Sequence, residues 1–171
     1  MAFDTYLFLD AMPGESTAAF AAKPNGHSEI PSEIFSFSLG ASNPASVGPS
    51  SGGLSAGRVS VSSFNLMKKT DNLSPLLFQA CCNGQHIKKA TIVLRKAAGK
   101  DGKQSVFLEY DFDDCMIESI QWSGSSGGDD TPTESISIAF AKIAVTYQKQ
   151  DTVTGITSKG NGALWDLTTV E

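Results

Sequence analysis

The chain has 171 residues, 40% of them hydrophobic and 18% charged, with a formal net charge of −5. That length fits one compact domain over residues 1–171, able to bury roughly 70% of its unfolded surface, and the apolar content excludes a disordered tail. No apolar run approaches the ~18 residues of a membrane span, so stable membrane insertion is not expected, and the acidic balance argues against a nucleic-acid partner.

Met1-Ala2-Phe3-Asp4 lacks a basic run and Asp10 interrupts the apolar stretch behind it, so a cleavable Sec signal is not expected. Tyr6-Leu7-Phe8-Leu9 reads as a short buried strand. From Ile30 to Leu39 the period is two: Phe35, Phe37 and Leu39 fall on one face, Ser36 and Ser38 on the other. Residues 41–57 are almost wholly Ala, Ser, Gly, Pro, Asn and Val. The segment is too long for an ordinary turn and reads as a loop that is disordered or ordered against something else.

Strand character returns at Val59–Lys68. Residues 87–96 and 104–113 read as the arms of a hairpin around Ala98-Gly99-Lys100-Asp101-Gly102. In the second arm Glu109, Asp111 and Asp113 share one face, with Lys88, Lys89, Arg95 and Lys96 expected opposite them. Residues 115–122 suggest a further strand. Between Ile136-Ile138-Phe140 and Ile143-Val145-Tyr147 the parity flips, which predicts a bulge or a strand passing between sheets. The exception to this all-β pattern is Leu73, Leu76, Leu77, Ala80 and Cys81, spaced as one helical stripe. Ser74 suits the N-cap, Pro75 the first position and Gly84 the end, giving a helix near residues 74–83, with Leu73 and Phe78 as a hydrophobic staple.

No catalytic, cofactor or metal site is expected. His27 and His86 sit in no nucleophile–base signature and read as surface or hydrogen-bonded histidines. Cys81 and Cys82 are vicinal on the helix and diverge, Cys81 reading as buried and structural; with Cys115 the count is odd. Gly52, Gly53 and Gly57 lack the Lys and helix of a phosphate loop, and the Asn72-Leu73-Ser74 sequon is followed by Pro75. Glu109, Asp111 and Asp113 read as a solvated face rather than a calcium site. The low charge and the Ser36/Ser38 face suit a subunit covered by copies of itself.

A series of residues then matches a known pattern in order along nearly the whole chain. It runs from Tyr6-Leu7-Phe8-Leu9-Asp10 and Gly14-Glu15-Ser16 through Ile30 and Phe35-Ser36-Phe37-Ser38-Leu39-Gly40. It continues with Phe64 to Asp71-Asn72-Leu73-Ser74-Pro75, Gly84, Ile87, Ala90 and Leu94-Arg95-Lys96-Ala97. It ends with Thr133-Glu134-Ser135, Phe140-Ala141-Lys142-Ile143, Tyr147 and Trp165. The chain resembles the Hcp (haemolysin-coregulated protein) family, the tube subunit of type VI secretion systems. Leu39, Cys82 and Asp113-Asp114 depart from the family pattern.

The resemblance implies a mainly β fold: a partly open β-barrel of two antiparallel sheets, one short flanking helix and a long extended loop at 41–57. It also implies a homohexameric ring that stacks into a tube inside a contractile sheath, tipped by a spike protein and carrying effectors in its lumen. Such a protein folds in the cytoplasm and leaves by type VI secretion. With nothing after residue 171, a plain tube subunit rather than a toxin-fused variant is expected. Ser36 and Ser38 are the lumen candidates. Asn43, Pro44, Ser46, Val47, Pro49, Ser50 and Leu54 are the candidates for contact with a neighbouring subunit or ring. The rival reading is a monomeric β-sandwich that binds carbohydrate through Trp122 or Trp165.

Overall fold

Period-two patterning organises most of the chain. The computed structural model describes residues 3–20, 22–47, 53–97, 104–128, 130–150 and 157–169. The strands are β1 (Asp4–Leu9), β2 (Ser32–Ile34), β3 (Ser36–Ser38), β4 (Ala41–Ser42), β5 (Ala45–Val47), β6 (Leu54–Ala56), β7 (Ser60–Val61) and β8 (Phe64–Lys69). Helix α1 (Ser74–Asn83) follows, then β9 (His86–Ala97), β10 (Gln104–Ser123), β11 (Thr133–Gln150) and β12 (Thr157–Asp166). The expected turn at 98–102 lies outside the described residues, but its arms pair antiparallel as β9 and β10. The stretch at 115–122 is the continuation of β10, not a separate strand.

The mainly β, barrel-like expectation holds, and its two layers are halves of one continuous ladder. Its order is β2-β1-β9-β10-β11-β8-β3, with β12 pairing the C-terminal stretch of β11 on the edge whose N-terminal stretch holds β8. Only Phe35 separates β2 from β3, so the two ends of the ladder are one stretch of chain: Thr5 pairs with Ile34, and Ser36 with Met67. Phe35 itself donates its N–H to the Met67 carbonyl at 2.8 Å. The bend turns its side chain outward, 57% exposed, so it does not share the buried face of Phe37 as the alternation predicted. Phe37 stacks on Phe64 at 5.6 Å between ring centroids.

β1 is buried on both faces because two different elements cover it. Leu7 and Leu9 point into the barrel with Ile34, Phe64, Leu66, Ile92, Phe112 and Ile136. Tyr6, Phe8 and Val93 point outward and lie under Ala18 and Phe20 of the segment between β1 and β2. Each fully buried side chain of this size contributes about 1.5–3 kcal/mol. Arg95 anchors the covering segment: its guanidinium lies over the rings of Tyr6 and Phe20, at 4.5 and 4.0 Å, and donates to the Ala19 carbonyl at 2.8 Å.

The parity flip occurs where β10 and β11 cross from one half of the ladder to the other. Phe112 and Cys115 both point inward, as do Phe140 and Ile143 opposite them. Between the first two, Asp114 adopts a left-handed φ of 53°, which breaks the alternation. A register shift between Ile117 and Ser119 adds a bulge at Glu118.

Helix α1 has the expected bounds, ending on Gly84 at φ 64°, whose N–H returns to the Ala80 carbonyl. Its start differs. The Leu73 N–H bonds to Asp71 Oδ1 at 2.9 Å, and Ser74 is no N-cap, its hydroxyl being engaged elsewhere. Leu73, Leu77 and Ala80 are buried, while Phe78 lies 5.3 Å from Trp122 and is exposed, so the predicted Leu73–Phe78 staple is absent. Cys81 is half-buried rather than buried.

Residues 41–57 are not a structureless loop. β4 pairs with β7 (Ala41↔Val61, Ser42↔Ser60) and β5 with β6 (Ala45↔Ala56, Ser46↔Ser55, Val47↔Leu54), which makes a two-stranded arm. The Ser46 and Ser55 hydroxyls meet at 2.9 Å. Short Ala/Ser strands carry no hydrophobic alternation, so the pattern that reveals other strands is missing here.

Candidate functional site

Ser36 and Ser38 belong to a larger face. Register places Ser36 beside Met67, Met67 beside Ser135 and Ser135 beside Gln121. The next row runs Ser38, Asn65, Ser137, Ser119. These eight side chains point away from the barrel interior across four strands, and none is charged. Ser137 donates to Asn65 Oδ1, and Asn65 Nδ2 donates to the Ser63 carbonyl at 3.1 Å. Charge appears only at the borders, as Lys69 near the Phe35 ring at one end and Glu118 bonded to Ser63 at the other, 2.6 Å.

The reverse side of the same strands holds a buried ionic cluster that the sequence pattern did not reveal. Lys68, 0% exposed, points inward in phase with Phe64 and Leu66. Its Nζ lies 2.5 Å from Asp71 Oδ1, 2.7 Å from Glu134 Oε1 and 3.2 Å from Ser74 Oγ. Ser32 donates to Asp71 at 2.5 Å, and Trp122 Nε1 donates to Glu134 Oε2 at 2.7 Å. The cluster ties β2, β8, β11, the end of β10 and the start of α1 together behind the neutral face. A signal existed: Lys68 and Glu134 both occupy the apolar phase of their strands.

The other half of β10 is different. Glu109, Asp111 and Asp113 face outward, and Asp113 stands opposite Lys89 in register as expected, but the three carboxylates make no close ion pair with the expected cations. Arg95 is buried against Tyr6 and Phe20, Lys96 lies over Phe107, and Lys89 reaches Asn25. Asp111 instead accepts from Thr91 Oγ1 at 2.7 Å, and His27 Nε2 lies 3.2 Å from the same hydroxyl. Burial, then the Asp111 charge, pushes the Glu109 carboxyl up to about 7; burial also raises Asp111. Glu109 and Asp111 are thus half-buried rather than solvated, while Asp113 is exposed as expected.

Elsewhere apolar surface is exposed. Leu54 on the arm is 73% exposed, and Leu164 and Trp165 on β12 are 71% and 48% exposed. At the arm's base Asn43, Gly57, Arg58 and Val59 border the same hollow as Leu164 and Trp165. Among the interface candidates Asn43, Pro44, Ser46 and Leu54 are solvent-exposed and Val47 pairs in register with Leu54, while Pro49 and Ser50 lie outside the described residues. Trp122, a candidate sugar platform, has its N–H committed to Glu134 and its ring against Phe78.

Cys82 is a free, exposed thiol. His27 is buried and hydrogen-bonded, while His86 is exposed and 2.8 Å from Asp114. Cys115 is enclosed in the core, where burial and then the Asp113 charge push its thiol up to about 12. Among the described residues no group of His, Cys, Asp and Glu has metal-binding geometry, and no helix is long and apolar enough to cross a membrane.

Residues 6–147 match the family model described as "Type VI secretion system effector, Hcp". The chain belongs to the Hcp family. That family consists of type VI secretion proteins and is not a family of enzymes. The Hcp-family protein hcp1 of Pseudomonas aeruginosa is 33% identical over 93 residues, 54% of this chain and 56% of hcp1. The match thus spans about half the length of that curated relative. Among solved structures, a type six secretion system protein is similar at 31% identity, TM-score 0.82, over 97% of this chain and 96% of the other. Hcp1 from Salmonella typhimurium is similar at 28% identity, TM-score 0.71, over 98% and 96%. The neutral four-strand face, the arm and the β12 edge are thus carried by an Hcp-family chain.

Proposed function

We propose that this Hcp-family chain is, over residues 1–171 as a single domain, the tube subunit of a type VI secretion system. Six copies form a ring, and rings stack into a tube inside a contractile sheath behind a spike protein. The tube leaves the cell carrying effectors in its lumen. In this reading the chain performs no catalysis. The observation that carries it is surface apolarity on a chain whose core is already closed: Leu54, Leu164 and Trp165 are exposed on an arm and an edge strand, where a second copy would cover them. A head-to-tail contact repeated until it closes makes a ring.

Two assignments follow. Ser36 and Ser38, with the neutral face around them, line the lumen. The arm, through Asn43, Pro44, Ser46, Val47, Pro49, Ser50 and Leu54, holds a neighbouring subunit or ring. Light scattering coupled to size exclusion tests the whole reading. A species near six subunits at high concentration is expected, and a clean monomer there would refute it. Deleting residues 45–54 is expected to abolish stacking or secretion, so normal tubes from that variant would remove the arm's role. Ser38→Asp is expected to impair effector export or effector stability while leaving rings intact.

A further inference from the structure

Resting on the tube reading, we infer that the four-strand face selects cargo by lack of charge, taking neutral polypeptide surface through hydrogen bonds and thioether contact rather than through ion pairs. The chain has 31 acidic and basic residues, yet the two rows Ser36–Met67–Ser135–Gln121 and Ser38–Asn65–Ser137–Ser119 contain none. Their hydroxyls and amides both donate and accept, so they match a peptide backbone or a polar side chain in either polarity. Met67, exposed within the upper row, adds an adaptable apolar contact. A cargo charge pressed against this face loses hydration and meets no counter-ion, since Lys69 and Glu118 stand only at its ends. Each contact is weak, and a ring that repeats the face multiplies it. The net charge of −5 would draw basic cargo to the surface at large, but that attraction is screened by salt.

The Met67 methyl group reports on the face directly. In methionine-methyl-labelled protein, Met12 is buried in the core and serves as the internal reference. The probes are three peptides of equal length: one built of Ser, Asn, Gln, Gly and Leu, and two in which a pair of serines becomes Lys or Glu. The neutral peptide is expected to shift the Met67 signal equally at about 50 and about 500 mM NaCl. The charged peptides are expected to bind at least about fivefold more weakly at the higher salt. Ser38→Asp should weaken the neutral peptide and favour the Lys peptide, and Ser135→Lys should favour the Glu peptide.

Light scattering on the same samples separates the outcomes. If rings are present and a charged peptide moves Met67 as well as the neutral one, the charge selection is wrong and the tube reading stands. Charge selection is equally overturned, with the tube reading intact, if salt abolishes the neutral shift or if no peptide moves Met67. If the protein is monomeric at high concentration, the tube reading falls and this inference with it.

Discussion

The outer surface of β10 has two halves that solve opposite problems. From Val106 to Asp111 it lies near the segment between β1 and β2, and there charge is kept in half-buried positions: Asp111 beside Thr91 and His27, Glu109 beside Asp111, with Arg95 under Phe20 on β9. From Ser119 to Gln121 it lies bare, and there charge is missing altogether. Charge is tolerated where the chain's own segment supplies hydrogen bonds and rings. Where the chain supplies no cover, the face carries nothing that would be costly to desolvate against another molecule. The ionic groups that hold the bare half in shape sit behind it, sealed in the barrel.

The largest effect should come from that sealed cluster. Lys68→Met leaves Asp71 and Glu134 without their shared cation, a loss of about 3–5 kcal/mol for breaking a buried pair. Thermal unfolding should then fall by roughly 10 °C for a chain of this size. Adding Glu134→Gln should recover part of it, and a lone Lys68→Met with an unchanged midpoint would show that the cluster supports nothing.

Next comes the cover itself. Phe20 meets Tyr6 and Phe8 edge-on at 5.3 and 5.1 Å and receives Arg95 on its face. Phe20→Ala is expected to cost about 2 kcal/mol and to raise hydrogen exchange in β1. Unchanged protection there would mean the segment is held by something other than this aromatic cluster.

A smaller effect is pH-dependent. The Glu109 carboxyl is raised from 4.5 to about 7 in the fold, so the folded state binds its proton more tightly than the unfolded state does. The stability it contributes is full below pH 4.5 and is lost as pH rises through 7. Allowing for solvent screening of a half-buried group, the change is about 1–2 kcal/mol. Glu109→Gln should flatten denaturant midpoints measured across that window and stabilise the protein at alkaline pH. The smallest effect belongs to the bare half: Ser135→Ala should shift stability by less than about 0.5 kcal/mol. A loss as large as that of Phe20→Ala would erase the contrast between the halves.

The parts of this fold legible in the sequence are those where one periodicity dominates. Phe64 and Leu66 mark β8, the Leu73–Leu77–Ala80 stripe marks α1, and the parity change after Phe140 marks the crossing at Asp114. Three things were hidden for physical reasons. Lysine in the apolar phase reads as a surface residue until its carboxylates, three and sixty-six positions away, are folded against it. The cover over Tyr6 and Phe8 comes from a segment with no regular period, so the carboxylates of β10 looked solvated. The arm pairs through Ala and Ser, whose small side chains leave no hydrophobic trace. For the candidate site, Ser36 and Ser38 were visible, but their partners on β8, β11 and β10 depend on register, which no single strand displays.

The closure of the barrel by residues 32–38 has a consequence for synthesis. β1 and this closing stretch leave the ribosome early, yet Tyr6 pairs with Val93 and Ser36 with Met67, and β8 is itself held by β11. At about 5–20 residues per second, β1 waits roughly 4–17 s for its partner to be translated. During that interval Tyr6-Leu7-Phe8-Leu9 lacks β9, the partner that spans all of it, while the short β2 reaches only as far as Leu7, and such a run is prone to aggregate. Long-range pairing of this kind also places folding in the millisecond-to-second range once the chain is complete. The first strands made are thus among the last to be secured, and the nascent chain is the stage at which the apolar run of β1 is least covered.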